Sequence, residues 1–246
     1  MRILLLLCLA LPAFGSGVNQ HVVGGSDTTI GQYPHQLSLR VTGSHSCGAS
    51  LIGTTRAVTA AHCTGSAIGV YTILGGTTDR TVTNCATCVL RDLNFLNRHP
   101  QYDENGNGYP NDVAVIGFAA VATNTNLQTI SLATPSDGSF AGDTGVITGW
   151  GKTASIGGIP DILQMATMNV ITNADCAGTW GALSINDGHI CVSAVGRSAC
   201  SGDSGGPLEC GNTLAGATSW GQASCDPSYP SVYTRISYFY SWIIAQ

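Results

Sequence analysis

An all-β fold is the class this chain predicts, and three observations carry it. Glycine is abundant, 32 of 246 residues, while charged residues make up only 9%. That composition reads as many short strands joined by tight turns. No amphipathic helical stretch stands out until Tyr238-Phe239-Tyr240-Ser241-Trp242-Ile243-Ile244, whose apolar residues suit a C-terminal helix docking on the body of the protein. The length fits one large or two small domains. The formal charge of −5 comes from scattered acids, and no basic stripe is present to engage nucleic acid.

In chain order, residues 1–17 read as a signal peptide. Met1-Arg2 gives a positive start, Ile3 to Ala13 an apolar stretch, and Gly15-Ser16-Gly17 a small-residue cleavage site. The stretch is too short to span a bilayer well, so no membrane association is expected after its removal. Secretion implies an extracellular, oxidising setting in which cysteines pair. The apolar run from Ala49 to Val58 leads into Thr59-Ala60-Ala61-His62-Cys63. Asp103-Glu104-Asn105-Gly106-Asn107-Gly108 fits the first half of a calcium-loop pattern. Its twelfth position is Ala114, which offers no side-chain oxygen, so the stretch reads as a surface loop, with weak calcium binding the minor alternative. Asn111-Asp112-Val113-Ala114-Val115-Ile116 sets an aspartate at the head of a strand-like run. Gly202-Asp203-Ser204-Gly205-Gly206-Pro207 sets a serine among small residues, where backbone N–H groups can converge. A serine hydroxyl needs a base to take its proton and donors for the oxyanion it creates. The order His62, Asp112, Ser204 is one of three in which such a triad recurs.

On these residues the chain resembles the chymotrypsin family of serine proteases. Val22-Val23-Gly24-Gly25, the Ala-Ala-His-Cys segment, the Asn-Asp-Val run, Thr148-Gly149-Trp150-Gly151, the Gly-Asp-Ser-Gly-Gly-Pro segment and Ser219-Trp220-Gly221 appear in family order, from Val22 to Trp242. The resemblance implies two packed six-stranded antiparallel β-barrels with a short C-terminal helix and a catalytic cleft between the barrels. It implies His62 as base, Asp112 as its orienting acid with Ser219 hydrogen-bonded to it, and Ser204 as nucleophile. The N–H groups of Gly202 and Ser204 would form the oxyanion hole. Residues 18–21 would be a short propeptide and 22–246 the protease domain, with the α-amino group of Val22 pairing with Asp203 after cleavage. His21 stands before Val22 where the family usually has Arg or Lys, which leaves a different activating protease, exopeptidase trimming of residues 18–21 or an unusual mature start as the alternatives.

The resemblance also pairs Cys47 with Cys63, Cys176 with Cys191, and Cys200 with Cys225. Of the ten cysteines, Cys8 leaves with the signal, and Cys85, Cys88 and Cys210 remain. Gly145 stands where the family usually places the partner of Cys210, and Thr28 and Met165 occupy the ends of another family bond. Cys85-Ala86-Thr87-Cys88 has redox or metal spacing, but no second Cys/His pair completes a zinc site. A local disulfide with Cys210 as a buried free thiol is favoured, a Cys210 bond to Cys85 or Cys88 being the alternative. The family's calcium loop also departs, with Gly76 where calcium-binding members carry Glu. No metal or cofactor is expected, and His35, His45, His99 and His189 read as structural or exposed.

For the substrate pocket, the resemblance puts Ser198, six positions before Ser204, at the base. A buried cationic side chain would find no anion there. Gly221 leaves one wall open beside Trp220, and Trp180 resembles the aromatic of chymotrypsins. Ser231 stands at a wall position usually Gly, and either intrudes on the pocket or is accommodated by a small backbone shift. The reading is a secreted, monomeric, digestive endopeptidase that cuts proteins and peptides after large apolar or aromatic residues and is a target for protein inhibitors. The alternatives are an elastase-like peptidase and a non-catalytic homologue acting as a binding protein.

Overall fold

The computed structural model describes residues 22–154 and 157–246; the expected signal peptide and propeptide lie outside them. Twelve strands form two closed barrels. The first comprises β2 (Gln36–Val41), β3 (Ser44–Gly53), β4 (Arg56–Thr59), β5 (Tyr71–Gly75), β6 (Val89–Arg98) and β7 (Ala114–Phe118), in the order β2-β3-β4-β7-β6-β5. The second comprises β9 (Thr144–Gly149), β10 (Gln164–Ile171), β11 (His189–Ser193), β12 (Pro207–Cys210), β13 (Thr213–Trp220) and β14 (Ser231–Arg235). Its order is β9-β10-β11-β14-β13-β12, closed by the β12–β9 and β9–β10 pairings. Both barrels therefore use the same permutation of strand order, although no sequence repeat announces it. Two short strands lie outside the rings: β1 (Ser26–Asp27) pairs with β10, and β8 (Ser131–Leu132) runs parallel to β13.

Closing a small barrel turns alternate side chains into an interior that must be filled. Leu37, Leu39, Leu51, Ile73, Ile116 and Phe118 fill the first; Ile147, Met168, Val170, Ile190, Val192 and Tyr233 fill the second. On β10 the burial alternates residue by residue from Gln164 to Val170, the period of a half-buried strand. A third cluster joins Val58, Val113 and Val115 from the first barrel to Leu214 and Ala217 from the second. Ile236, Phe239 and Ile243 complete it from the C-terminal helix α2 (Ile236–Ile244), which thus seals the seam between barrels.

One helix departs from the sequence expectation. α1 (Asn173–Trp180) precedes the C-terminal one and buries only Cys176. Its apolar content is too thin to show helical periodicity. Its start is set by capping, with the Thr172 hydroxyl accepting from the Asp175 N–H at 3.0 Å.

Among the described residues four disulfides are closed: Cys47–Cys63, Cys85–Cys88, Cys176–Cys191 and Cys200–Cys225. Cys210 is a buried free thiol, and burial pushes its pKa up to about 12. Gly76 lies at φ 77°, and a Cβ there would meet the Thr87 carbonyl oxygen at 1.9 Å. The Thr87 hydroxyl donates to the Gly76 carbonyl at 2.8 Å. The loop is thus folded onto itself around the Cys85–Cys88 bridge.

β9 and β12 pair Ile147 with Leu208 and Val146 with Glu209, so Gly145 and Cys210 follow next in register. A Cβ on Gly145 would lie 3.0 Å from the Cys210 Sγ. That spacing suits a disulfide with little backbone movement. Gly145→Cys is therefore expected to bond to Cys210 and stabilise the fold by about 2–4 kcal/mol. Thiol titration together with denaturant unfolding checks it; two free thiols or an unchanged midpoint would count against the register argument.

Candidate active site

The motif residues meet at the seam. His62 sits in a short 3-10 helix following β4, Asp112 just before β7, and Ser204 in the turn before β12. Asp112 is 2% exposed and is held by hydrogen bonds from His62, Ser219 and Thr234. Its Oδ1 accepts the His62 backbone N–H at 2.9 Å, and its Oδ2 lies 2.7 Å from His62 Nδ1. The Ser219 hydroxyl donates to Oδ2 at 2.5 Å from β13, and the Thr234 hydroxyl donates to the Asp112 carbonyl at 2.6 Å from β14. The acid belongs to the first barrel, and two of its donors belong to the second. With Nδ1 directed at the carboxylate, Nε2 is on the far side of the ring, 3.7 Å from the Cys63 Sγ, and His62 lines the cleft.

Ser204 is fixed by backbone and by glycine. Its carbonyl accepts the Gly48 N–H at 2.7 Å. Gly205 lies at φ 74°, and a Cβ there would be 2.1 Å from the Thr59 hydroxyl and 2.6 Å from the Gly48 carbonyl oxygen. The turn can press onto the strands flanking His62 only because that side chain is missing. Gly202 holds φ 101°, open to glycine and rare for other residues. Its carbonyl is partnered by His45 Nε2 at 3.0 Å, whose Nδ1 lies 2.8 Å from the Ser38 hydroxyl. Burial draws the His45 pKa down to about 4, so the neutral ring donates from Nε2 and accepts at Nδ1. His45 thus braces the turn that carries the Gly202 N–H. Its spacing in the sequence gives no sign of this.

Asp203, next to the serine, points away from the cleft into the second barrel. Its two oxygens accept the N–H groups of Gly151 at 2.8 Å and Cys200 at 2.9 Å. A Cβ on Gly149 or Gly151 would come within 2.2 or 2.4 Å of the carboxyl group, which explains both glycines of the Thr-Gly-Trp-Gly segment. Burial raises the Asp203 pKa to about 6 despite those hydrogen bonds. Among the described residues no cation pairs with it. Nearby, Val22 is fully buried among Ile147, Ala166 and Leu208, and the Ser198 N–H donates to the Val23 carbonyl at 3.2 Å.

The cleft, about 350 Å³, is lined by His62, Ser204, Trp220, Gly221, Ser231 and others, including Tyr109. Ser198 lies beneath the lining, 3% exposed, and its hydroxyl donates to the Cys225 carbonyl at 2.8 Å. Ser231 is in the wall, and its Oγ accepts the Ala199 N–H at 3.1 Å. A Cβ on Gly221 would project towards Ser231, 3.9 Å from its Cα. Trp180 stands behind the wall, its indole N–H on the Pro230 carbonyl and its ring 5.0 Å from that of Trp220. Tyr109 was not singled out from the sequence; only its place, three residues before Asp112, hints at the cleft. Cys47, His62 and Cys63 offer three potential metal ligands close together, but the two sulfurs are bonded to each other and leave no thiolate.

The fold and cleft define a two-barrel serine hydrolase arrangement, and comparisons with known proteins agree. The family model described as Trypsin matches residues 22–243. A chymotrypsin-like serine proteinase of Haliotis rufescens is 40% identical, covering 98% of both chains. Fibrinolytic enzyme isozyme C of Lumbricus rubellus is 39% identical over 90% of this chain and 98% of its own. Trypsin alpha of Drosophila melanogaster is 36% identical over all of this chain and 98% of its own. This chain belongs to the trypsin family and is a serine endopeptidase.

Proposed function

We propose that His62, Asp112 and Ser204 are the catalytic triad and that the enzyme cuts after large apolar or aromatic residues. The observation that carries the reading is the hydrogen-bonded chain Ser219–Asp112–His62 opening onto the cleft that Ser204 lines. His62 takes the Ser204 proton as the hydroxyl attacks a peptide carbonyl, then gives it to the leaving amine. Asp112 fixes the imidazole tautomer and stabilises the imidazolium. The N–H groups of Gly202 and Ser204 hold the oxyanion, each donor worth roughly 3–4 kcal/mol. Water then resolves the acyl-enzyme.

The relatives' names span different specificities, so the preference is argued from the pocket. Both hydroxyls near its base are engaged with backbone groups, Ser198 with Cys225 and Ser231 with Ala199. Among the described residues no carboxylate lines the cleft to receive a Lys or Arg side chain. Burying an unpaired cation is unfavourable by several kcal/mol. With its hydroxyl tied to Ala199, Ser231 fits the wall without a free polar group, and the missing side chain of Gly221 leaves the width a large residue needs.

Residues 1–17 as signal peptide, 18–21 as propeptide and 22–246 as protease domain complete the reading, with a secreted, monomeric digestive enzyme open to protein inhibitors. No helix among the described residues is long and apolar enough to cross a membrane. Cleavage before Val22 would free an ammonium for Asp203. Val22 holds φ 31°, a strained value for a β-branched residue that cutting the preceding peptide bond would relieve.

Ser204→Ala is expected to lower kcat by about 10⁶-fold and abolish fluorophosphonate labelling while leaving the fold intact. A labelled variant would sink the assignment. A peptide library is expected to favour Phe, Leu, Met or Tyr before the cut bond over Lys and Arg by about 100-fold or more. A profile led by basic residues would overturn the pocket argument.

The Asp203 shift sets a pH dependence. A folded pKa of about 6 against an ordinary 3.8 means that the carboxyl's contribution to stability is full below 3.8 and lost as pH rises through 6. At neutral pH this costs roughly 3 kcal/mol until a cation compensates. Pairing with Val22 lowers that cost and raises the amine above its free value of about 8. The kcat/KM of the enzyme matured at Val22 is therefore expected to fall on the alkaline side as the ammonium titrates. A pH–rate profile with N-terminal sequencing tests this, and a flat alkaline limb or a different mature start rejects it.

A further inference from the structure

Arg80 is a charged residue that the mechanism leaves unused, and its hydrogen bonds converge on one short segment of the other barrel. It stands in the loop between β5 and β6, its side chain 20% exposed. Nε donates to the Pro160 carbonyl at 2.8 Å. One terminal nitrogen donates to the Ile159 carbonyl at 3.3 Å and to the Asp161 carboxylate at 2.7 Å. The Arg80 backbone N–H donates to the Asp161 carbonyl at 2.9 Å. Beside it, Asp79 and Ile162 form an antiparallel bridge. The Thr78 carbonyl accepts the Leu163 N–H at 2.9 Å and the Trp150 indole N–H at 3.1 Å. The run Thr78 to Arg80 is thus zipped from the first barrel onto the connection between β9 and β10 of the second. The loop that carries Arg80 is itself held. The Thr81 N–H and hydroxyl both donate to the Asp79 carboxylate, at 2.8 and 2.6 Å, and Arg40 donates to the Arg80 carbonyl at 2.9 Å.

The consequence lies at Gly202. A Cβ built there would be 3.0 Å from the Gly151 Cα and 3.4 Å from the Ile159 Cγ2. Gly151 and Ile159 therefore fill the space that a side chain on Gly202 would take, and both come from the connection between β9 and β10. The Gly151 end is tied directly to the serine turn: its N–H bonds the Asp203 carboxylate, and the Lys152 N–H bonds the Ser201 carbonyl at 2.8 Å. The Ile159 end is tied to the first barrel, by Arg80 through the carbonyls of Ile159 and Pro160. His45 already holds the Gly202 carbonyl from the first barrel. Arg40, which bonds the Arg80 carbonyl from β2, is the register partner of His45 on β3. The two holds on Gly202 thus share one anchor.

We propose that Arg80 is a positioning residue for the oxyanion donor: from the first barrel it clamps the Ile159–Asp161 segment of the second, and so keeps Ile159 beside Gly202 and steadies the turn that presents the Gly202 N–H. This rests on the oxyanion-hole reading of Gly202 and Ser204. Guanidinium suits the task because its planar fork reaches two carbonyls and a carboxylate at once. A lysine ammonium keeps the charge but is a single point, and cannot span all three acceptors.

The test compares Arg80→Ala, Arg80→Lys, Asp161→Asn and Ile159→Ala in the full chain after activation, with a peptide trifluoromethyl ketone as probe. The Ser204 oxygen adds to the ketone carbon, the carbonyl electron pair becomes an oxyanion, and the serine proton passes to His62. The adduct therefore fills the oxyanion hole and nothing leaves. Per active site titrated, Arg80→Ala is expected to lose about 10-fold in kcat with KM unchanged, less than the loss of a whole donor, and to bind the ketone more weakly by the same factor. Arg80→Lys should stay within about twofold of Arg80→Ala. Asp161 is 59% exposed, so Asp161→Asn should stay within about twofold of wild type. Ile159→Ala removes the same contact from its other side, so it should reproduce the loss and not add to that of Arg80→Ala. Hydrogen exchange at the Lys152 amide, which reports the serine turn, should quicken by about 10-fold in Arg80→Ala. Wild-type kcat and ketone affinity in a folded Arg80→Ala, a loss confined to KM, a wild-type Ile159→Ala, full additivity of the two, or an Asp161→Asn as poor as Arg80→Ala would each overturn the proposal. If Arg80→Ala fails to fold, Arg80→Lys and Ile159→Ala decide by the same readouts. A wild-type protein that neither hydrolyses peptides nor binds the ketone would overturn the oxyanion reading instead, and exchange at Lys152 would still judge the clamp.

Discussion

A carboxylate sealed from water at the seam between the barrels is the constraint on which the rest of the site depends. An isolated buried charge is costly, and it persists only where hydrogen bonds replace the lost water. Asp112 has its donors from three directions: the His62 backbone and ring on its own barrel, Ser219 on β13, and Thr234 on β14 behind it. Ser219 from the other barrel meets the charge itself and Thr234 the backbone carbonyl of the same residue, so holding Asp112 also sets how the barrels meet. The apolar cluster around Val115, Leu214 and Phe239 supplies contact area without direction. The carboxylate's hydrogen bonds supply the direction, and they aim the imidazole.

The second buried acid is held differently. Asp203 accepts only two backbone N–H groups, from Gly151 and Cys200, and its pKa rises where hydrogen bonds alone would lower it. The two neighbouring acids thus differ in kind. Asp112 is fully served by groups fixed in the fold, whereas no cation among the described residues pairs with Asp203. On the proposed activation, that shortfall makes the adjoining turn depend on cleavage before Val22. The glycines at 149 and 151 give Asp203 room, and His45 holds the other side of the same turn through the Gly202 carbonyl.

Much of this was legible in the sequence, for physical reasons. Several motif glycines mark a close approach that a Cβ would forbid: Gly205 against Thr59, Gly149 and Gly151 against Asp203. Such an approach dictates the glycine itself, so it leaves a mark in the motif even though its partner is distant in the chain. The barrels showed only as class, since short strands and many turns do not state their order. Helix α1 went unseen because its stability comes from the Thr172 cap and the Cys176–Cys191 bond and not from an apolar stripe. The roles of His45 and Tyr109 were hidden for one shared reason. Each acts on a residue far away in the chain, and nothing in its immediate neighbours records that contact. His45 meets Gly202 across 157 positions.

The repeated strand order explains where these hidden contacts gather. Two rings built to the same plan, packed along one seam, place loops from both at the same cleft. Each proposed catalytic group is then held partly by the ring that does not carry it: Ser204 by Gly48 and Asp112 by Ser219 and Thr234. A loop anchored only at its own ends has many conformations of similar energy. The same loop pinned from across the seam has few, and the entropy of ordering it is lost on folding and not during catalysis. The polar residues at the seam are therefore as much a part of the chemistry as the residues that touch substrate, and their number follows from the need to fix loops drawn from two independent rings.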